Sequence, residues 1–195
     1  MTRLPRFGLP LAAALLALLS WIFPASDRAE PAGRASSSSP ASSSQPLSGS
    51  ARWQARLLHA ADGDSFTVRR VDSGQKQELR LYGVDAPESD QAYGQASRRN
   101  LLGMAKGKIL TVAPMDEDQY GRVVAVVFAE GEDTSLNERQ LEQGMAWYYE
   151  YFCRAPFCEG WKARERQARE RRAGLWRDDQ PLPPRQWRQQ KSRRR

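Results

Sequence analysis

The centre of the chain contains five short segments with strand-like sequences, and this succession limits the fold more than any other feature. The segments are residues 53–60, 64–71, 76–82, 108–115 and 122–129. Turn sequences separate them, and DSGQ joins the second to the third as a hairpin. The segments do not alternate regularly with helices, as the strands of a βαβ fold do. The sequence therefore predicts a small closed barrel of five strands.

Three further segments have helical spacing of their apolar residues, or a long charged pattern that is typical of a surface helix. They are residues 92–106, 136–143 and 159–172. Each is followed within two residues by a glycine, the residue that most often ends a helix. Together, strands and helices predict a mainly β domain of the α+β class: a five-stranded OB-type barrel with about three helices.

The first 26 residues have the features of an export signal. Arg3 and Arg6 precede a largely apolar run of 15 residues at 9–23, the arrangement of a secretory signal peptide. Counted over residues 8–26, the segment has 19 residues and is also long enough for a membrane anchor. Positive charge on its N-terminal side predicts that the body lies outside the cytoplasm in either case. We therefore predict an exported protein, periplasmic or extracellular, either secreted or anchored to the inner membrane by a single pass.

The remaining boundaries follow from composition and charge. Residues 27–51 are rich in Ser and Pro and predict a disordered linker to a folded domain at residues 52–178. The net charge is +7, but residues 154–195 carry 14 Lys and Arg against 5 Asp and Glu. A basic flank on a nearly neutral body predicts an anionic partner, either nucleic acid or acidic lipid. Residues 179–195 are predicted to be a basic C-terminal tail.

The chain has two cysteines, Cys153 and Cys158, in the sequence CRAPFC. Their spacing is too wide for a thioredoxin-type redox pair, and two ligands alone do not make a structural zinc site. In an oxidising compartment the two residues can form a disulfide across a short loop. A pair of unbonded thiols is the alternative.

Four segments carry residues that are unusual for turns and strands. They are DGDS at 62–65, LRLYGVDAPES at 79–89, DQYGR at 118–122 and AWYYEYF at 146–152. Each has an ordinary explanation when taken alone, as a turn, a strand end or core packing. An arginine in the middle of a predicted strand, followed by two acids around a proline, is harder to explain by packing. Together the four segments indicate a single site.

These residue types suit the hydrolysis of a phosphodiester. That reaction needs a hard cation on a phosphate oxygen, a positioned water, and positive charge where the transition state accumulates negative charge. Asp64 and Asp85 can offer carboxylate oxygens from adjacent strands, a ligand type that suits Ca²⁺ and not zinc. Glu88 can orient or deprotonate the attacking water. Arg80 and Arg122 can each bind phosphate oxygens through two N–H groups.

The motifs resemble those of the staphylococcal nuclease (thermonuclease) family. DGDS is similar to the family's DGDT, LRLYGVDAPE to R-L-x-x-V-D-x-P-E, YGR to YGR, and LNERQLEQGMAW to the N-x-x-L-x-x-G-x-A helix. The resemblance covers about residues 53–187 and implies an OB-fold barrel. It implies that Ca²⁺ is bound by Asp64, Asp85 and the backbone carbonyl of Ala86, and that the catalytic residues are Arg80, Glu88 and Arg122.

The resemblance also implies the reaction and the partner. It implies a calcium-dependent endonuclease that hydrolyses the phosphodiester bonds of DNA, RNA or both and leaves 3′-phosphates. Tyr120 and Tyr148 are predicted to contact the substrate, and single-stranded nucleic acid is the expected preference of a monomeric enzyme. The sequence departs from the usual family pattern at Ser65 and Ala86, where threonine is common, and at Gln119, where the type member has lysine.

Two other classes of protein fit parts of the sequence. A non-catalytic module could bind nucleic acid on the same barrel, but such domains typically lack the charged residues retained here. A membrane-tethered adaptor could use the basic tail alone, although nothing in the barrel segments requires it. His59 is the only histidine, so mechanisms that need two histidines or several histidine ligands are excluded. We expect His59 to be a structural strand residue.

Overall fold

The computed structural model describes residues 51–194. The predicted signal or anchor at residues 1–26, and the predicted linker up to residue 50, lie outside the described residues. Within residues 51–194, no helix has both the length and the apolar character that crossing a bilayer requires.

The described chain contains seven strands, four α-helices and two short 3₁₀ helices. In chain order the strands and α-helices are β1 (Trp53–Ala60), β2 (Ser65–Arg70), β3 (Lys76–Leu81), β4 (Val84–Asp85), α1 (Gly94–Ala105), β5 (Ile109–Glu117), β6 (Val123–Ala129), α2 (Leu136–Glu142), β7 (Trp147–Tyr148), α3 (Cys158–Glu170) and α4 (Pro184–Arg193). The 3₁₀ helices cover Glu150–Phe152 and Gly174–Arg177.

Five of the strands close into a barrel in the order β1-β2-β3-β6-β5. Neighbouring strands are antiparallel except for β3 and β6, which are parallel and pair Leu79 with Val123 and Arg80 with Val124. This architecture confirms the predicted α+β class and the predicted five-stranded barrel.

Alternation along β3 explains how a strand can carry an arginine in its middle. Leu79 and Leu81 are almost completely buried in the apolar core. Because successive side chains of a strand point to opposite faces, Arg80 between them projects away from that core. The barrel therefore presents a charged side chain at a fixed position without breaking its apolar interior.

Helix α2 ties the barrel to the loops that surround its open end. Ser135 caps the helix in a reciprocal arrangement with Glu138, which satisfies N–H groups that the first turn leaves free. The buried side chain of Asn137 donates to the carbonyls of Tyr82 (2.9 Å) and Ala125 (3.1 Å) and accepts from the amide of Val127 (3.1 Å). One helical residue thus joins the end of β3 to the middle of β6.

A second, two-stranded sheet continues beyond the barrel. β4 pairs antiparallel with β7, so that Val84 lies opposite Tyr148 and Asp85 opposite Trp147. Cys153 and Cys158 are joined by a disulfide. Gly83 packs directly against this bond, because a Cβ atom there would lie 2.6 Å from the Cys153 sulfur. The aromatic segment that follows β7 is therefore held beside the end of β3.

Helix α4 lies within the segment predicted as a basic tail, and it is a helix beyond the three that the sequence predicts. Pro184 stands at its start, where the missing N–H costs nothing, and is its only buried residue. Its charged side chains contact the loop that follows β4, as described below.

Candidate active site

A tight turn at residues 62–65 starts the site. One carboxylate oxygen of Asp62 accepts the backbone N–H groups of Asp64 (2.9 Å) and Ser65 (2.7 Å). Gly63 is required between them, since a Cβ atom at that position would lie 1.7 Å from the Ser97 hydroxyl. The turn places Asp64 at the beginning of β2 with only 2% of its surface exposed.

Arg80 links the two aspartates predicted as metal ligands. Its Nη1 atom lies 2.7 Å from Asp64 Oδ1, and its Nη2 atom lies 3.0 Å from Asp85 Oδ1. The charge of Asp64, and then that of Asp85, raises the pKa of Arg80 further above its already high ordinary value. The guanidinium is therefore a permanent positive charge at the floor of the site.

The three aspartates of the site, Asp62, Asp64 and Asp85, carry more negative charge than Arg80 can balance. Burial, and then repulsion by Asp64, raises the pKa of Asp62 well above its ordinary range. The same two causes raise the pKa of Asp85. Carboxyl groups that resist ionisation beside one another favour the binding of an additional cation.

Arg122 reaches the site from the turn before β6. Its Nε atom donates to Asp118 (2.7 Å), which also accepts the backbone N–H groups of Tyr120 (2.9 Å) and of Arg122 itself (3.1 Å). Its Nη1 atom donates to the Ser65 hydroxyl at 3.2 Å. Asp118 therefore shapes the turn and aims the guanidinium at the start of β2.

These elements enclose a cavity of about 630 Å³. Arg80, Glu88 and Arg122 all line it, and Tyr120 stands at its rim with 75% of its surface exposed. The structure thus brings the three predicted catalytic residues and one predicted substrate contact to a single space. The cavity is open to solvent and large enough for a nucleotide-sized group.

The structure places Tyr148, predicted as a substrate contact, outside the set of residues that line the cavity. Tyr148 pairs with Val84 in the small sheet, packs on the core and does not line the cavity, and burial raises its pKa. Its neighbour Tyr149 lines the cavity together with Phe152. Tyr149 therefore shares the cavity with the predicted catalytic residues, and the substrate contact of Tyr148 stays a prediction.

Comparison with known proteins identifies the family. The family model described as staphylococcal nuclease homologue matches residues 78–178, just over half of the 195 residues. The chain belongs to the staphylococcal nuclease family. An uncharacterized endonuclease of Escherichia coli is 34% identical over 136 residues, which make up 70% of this chain and 85% of the relative.

Two further relatives show how much of the chain is shared. A micrococcal nuclease of Shigella flexneri is 31% identical over 145 residues, covering 71% of this chain and 82% of the relative. A probable staphylococcal-like nuclease, CAN1, of Oryza sativa subsp. japonica is 39% identical over 117 residues, or 60% of this chain. The chain spans only 34% of that plant relative but most of the two bacterial ones.

For this staphylococcal nuclease homologue, the donors at the predicted metal position fit Ca²⁺. The backbone N–H of Ala86 donates to Asp64 at 2.6 Å, so the three predicted ligand residues lie together. Among residues 51–194 there is no group of three or more His, Cys, Asp or Glu side chains arranged to hold a metal. The predicted calcium ligands do not form such a group, because only two of them, Asp64 and Asp85, are side chains and the third is a backbone carbonyl. Its donors are all oxygens, the type that Ca²⁺ prefers.

Sequence reasoning missed one residue at the candidate site altogether. Arg188 of helix α4 lies 2.6 Å from a carboxylate oxygen of Glu88 and 3.3 Å from one of Asp85. It also lines the cavity. The only available signal was the clustering of basic residues near the C-terminus, which indicates charge but not the partner.

Proposed function

We propose that the protein is a nuclease that hydrolyses phosphodiester bonds in DNA, RNA or both. One observation carries the proposal. Two arginines and a glutamate from three separate parts of the chain line one cavity, beside two buried aspartates, in a member of a nuclease family. A module that only binds nucleic acid has no need of the glutamate, because a carboxylate repels phosphate.

The bound metal would be Ca²⁺, held by Asp64, Asp85 and the carbonyl of Ala86. When bound, it would polarise a phosphate oxygen and offset negative charge in the transition state. Arg80 has a second role in this arrangement, since its guanidinium bonds both aspartates and holds them in position.

Glu88 would act on the water that attacks phosphorus. Its side chain is about one third exposed, so water can reach it from the cavity. A carboxylate in that position accepts a proton as the water attacks, or holds the water in line. Arg122 would bind the phosphate and stabilise the negative charge that develops on its oxygens.

Further details extend this proposal. The family resemblance implies cleavage that leaves 3′-phosphates. Tyr120, Tyr149 and Phe152 border the cavity and could stack on unpaired bases, which favours single-stranded substrates. We propose a monomeric, exported enzyme, secreted or tethered to the membrane by its N-terminal segment.

The decisive experiment compares Glu88→Gln with the unmodified protein in cleavage of single-stranded DNA. We expect a loss of about 10²-fold or more in rate, with little change in binding, because a general base is lost while the shape of the side chain is kept. Glu78→Gln, on the exposed side of β3, makes the same change away from the cavity and should cleave normally.

Two controls distinguish metal-dependent cleavage by this protein from cleavage by a contaminating nuclease. Excess chelator should abolish cleavage, and added Ca²⁺ should restore it. Glu88→Gln protein purified in parallel should stay inactive under both conditions. A protein that binds single-stranded DNA but never cleaves it would support the non-catalytic module instead.

A further inference from the structure

The side-chain hydrogen bonds and ion pairs that tie helix α4 to the rest of the described chain go to one segment, Asp85 to Gln91. Arg188 bridges Asp85 and Glu88, as given above. Lys191 forms an ion pair with Asp90, which also accepts the indole N–H of Trp187 at 3.3 Å. The side chain of Gln91 donates to a backbone carbonyl just before the helix. Every one of these contacts is polar.

The helix is held almost without apolar burial. Apart from Pro184, its residues are exposed or only half-buried. The Arg188 side chain is 43% exposed, compared with 19% for Arg80. Exposed ion pairs are weak, and salt screens them. Arg80 is therefore a fixed part of the site, whereas Arg188 can leave it.

Docked Arg188 opposes the chemistry that the site is built for. A guanidinium bonded to Glu88 occupies the carboxylate oxygen that would otherwise hold the attacking water. The same positive charge lies beside Asp85, where a divalent cation would bind, and like charges repel. A second arginine at this position is therefore inhibitory as long as α4 remains in place.

A nucleic acid substrate offers the helix better partners. Helix α4 carries the cations Arg185, Arg188, Lys191 and Arg193, and Arg194 follows directly after its end. A phosphate backbone binds such a cluster with release of counterions, and this competes directly with the three carboxylates of Asp85, Glu88 and Asp90.

We propose that helix α4 is an electrostatic strap that lies across the active site and is displaced by the phosphate backbone of the substrate. While docked, it reduces metal binding and blocks Glu88. When the cations of helix α4 bind the phosphates of a nucleic acid instead, the helix leaves the site. Glu88 and Asp85 are then free beside the nucleic acid that has just been bound. This inference rests on the proposed nuclease function, but its test includes measurements that do not depend on cleavage.

Two variants of the full chain weaken the strap from opposite sides. Arg188→Gln removes a positive charge from the site, and Asp90→Asn removes a negative charge from the anchor. Simple electrostatics predicts that Ca²⁺ binds more tightly to the first variant and more weakly to the second. Release of the strap predicts tighter binding to both, by roughly fivefold or more, as is usual for coupled sites. Arg166→Gln, at an exposed position of α3, loses the same charge as Arg188→Gln and should leave Ca²⁺ affinity unchanged.

Calorimetric titration with CaCl₂ in low salt measures these affinities. Tighter binding to both Arg188→Gln and Asp90→Asn supports the strap. Unchanged or weaker binding to Asp90→Asn overturns it. Cleavage gives a second criterion, since kcat/KM should rise in both variants. A fall in both would mean that docked α4 assists catalysis, and this too would overturn the proposal.

Hydrogen exchange tests the displacement itself. Addition of a non-cleavable phosphorothioate oligonucleotide to the unmodified protein should speed amide exchange over residues 85–91, which lose their partner. Slower or unchanged exchange there would contradict displacement. If exchange speeds up but no cleavage is found, the strap stands and the nuclease proposal fails. If cleavage is normal and exchange does not respond, the strap alone fails.

Discussion

The candidate active site has two arginines that contact the same aspartate but are held in different ways. Arg80 lies on a barrel strand, between two buried leucines, and bonds two aspartates that are less than 5% exposed. Arg188 lies on a surface helix and is nearly half exposed. Water competes weakly for the first set of contacts and strongly for the second. The same pairing of guanidinium and carboxylate is therefore part of the scaffold in one region and exchangeable in the other.

Loss of the barrel arginine should have the largest effect. Arg80→Ala leaves the buried Asp64 without its cation and Asp85 with only the mobile Arg188, which we expect to cost about 3–5 kcal/mol in the free energy of unfolding. Cleavage should also be lost. Urea unfolding followed by circular dichroism measures the stability, and Lys108→Ala, which breaks the exposed pair with Glu132, is the control. If both variants lose the same stability, the distinction between buried and exposed pairs is wrong.

Asn137→Ala tests whether the stability of the barrel depends on buried polar contacts as well as on buried ion pairs. Asn137 is fully buried, and its loss leaves the N–H of Val127 and the carbonyl of Tyr82 without this partner. Each unsatisfied group costs about 1–3 kcal/mol, so we expect a loss of about 3 kcal/mol in urea unfolding. Gln167→Ala, on the exposed face of α3, should change stability little. Equal stability of the two variants would contradict the argument.

The disulfide should contribute an intermediate amount. Replacing both Cys153 and Cys158 by serine should lower the unfolding free energy by about 2 kcal/mol, because the bond closes only a short loop. Unfolding the unmodified protein with and without a reductant provides an independent comparison. The KM for single-stranded DNA should also rise, since Cys153 directly follows Phe152, which lines the cavity together with Tyr149. An unchanged KM would mean that Tyr149 and Phe152 keep their positions without it.

Arg188→Gln should have the smallest effect on stability, less than about 1 kcal/mol, because the Arg188 side chain is 43% exposed and the buried Asp85 keeps its bond to Arg80. What difference there is should disappear in about 1 M salt, where the screening length is only a few ångströms. Thermal unfolding in low and high salt measures both quantities. A loss as large as that of Arg80→Ala, or one that persists in high salt, would place Arg188 in the scaffold.

The fold was predictable as far as it depends on neighbouring residues. Strands and helices follow from the spacing of apolar residues, and the turns around residue 74 and residue 121 follow from glycines with positive φ. The β4–β7 sheet was not predictable, because two residues per strand are too few to show alternation. The parallel pairing of β3 with β6 joins segments more than 40 residues apart and has no local signal.

The candidate site likewise contains residues that local motifs predict and residues that only long-range contacts bring there. Arg80, Glu88 and Arg122 were predicted because each belongs to a short motif with its own chemistry, and all three line the cavity. Arg188 was missed because its partners lie 100 or more positions earlier in the chain. Tyr149 lines the cavity but was not predicted, since the run of aromatic residues gives no indication of which ring faces the cavity.

Closure of the barrel has a consequence for how the protein folds. Arg80 lies on β3 and Arg122 directly precedes β6, so the only parallel pairing of the barrel also joins the two halves of the site. Such a contact closes a long loop and forms late and slowly relative to local hairpins. Partly folded chains thus contain the hairpins of the barrel but no catalytic cavity. Activity during refolding should therefore appear in the same kinetic phase as the final cooperative step, and not before it.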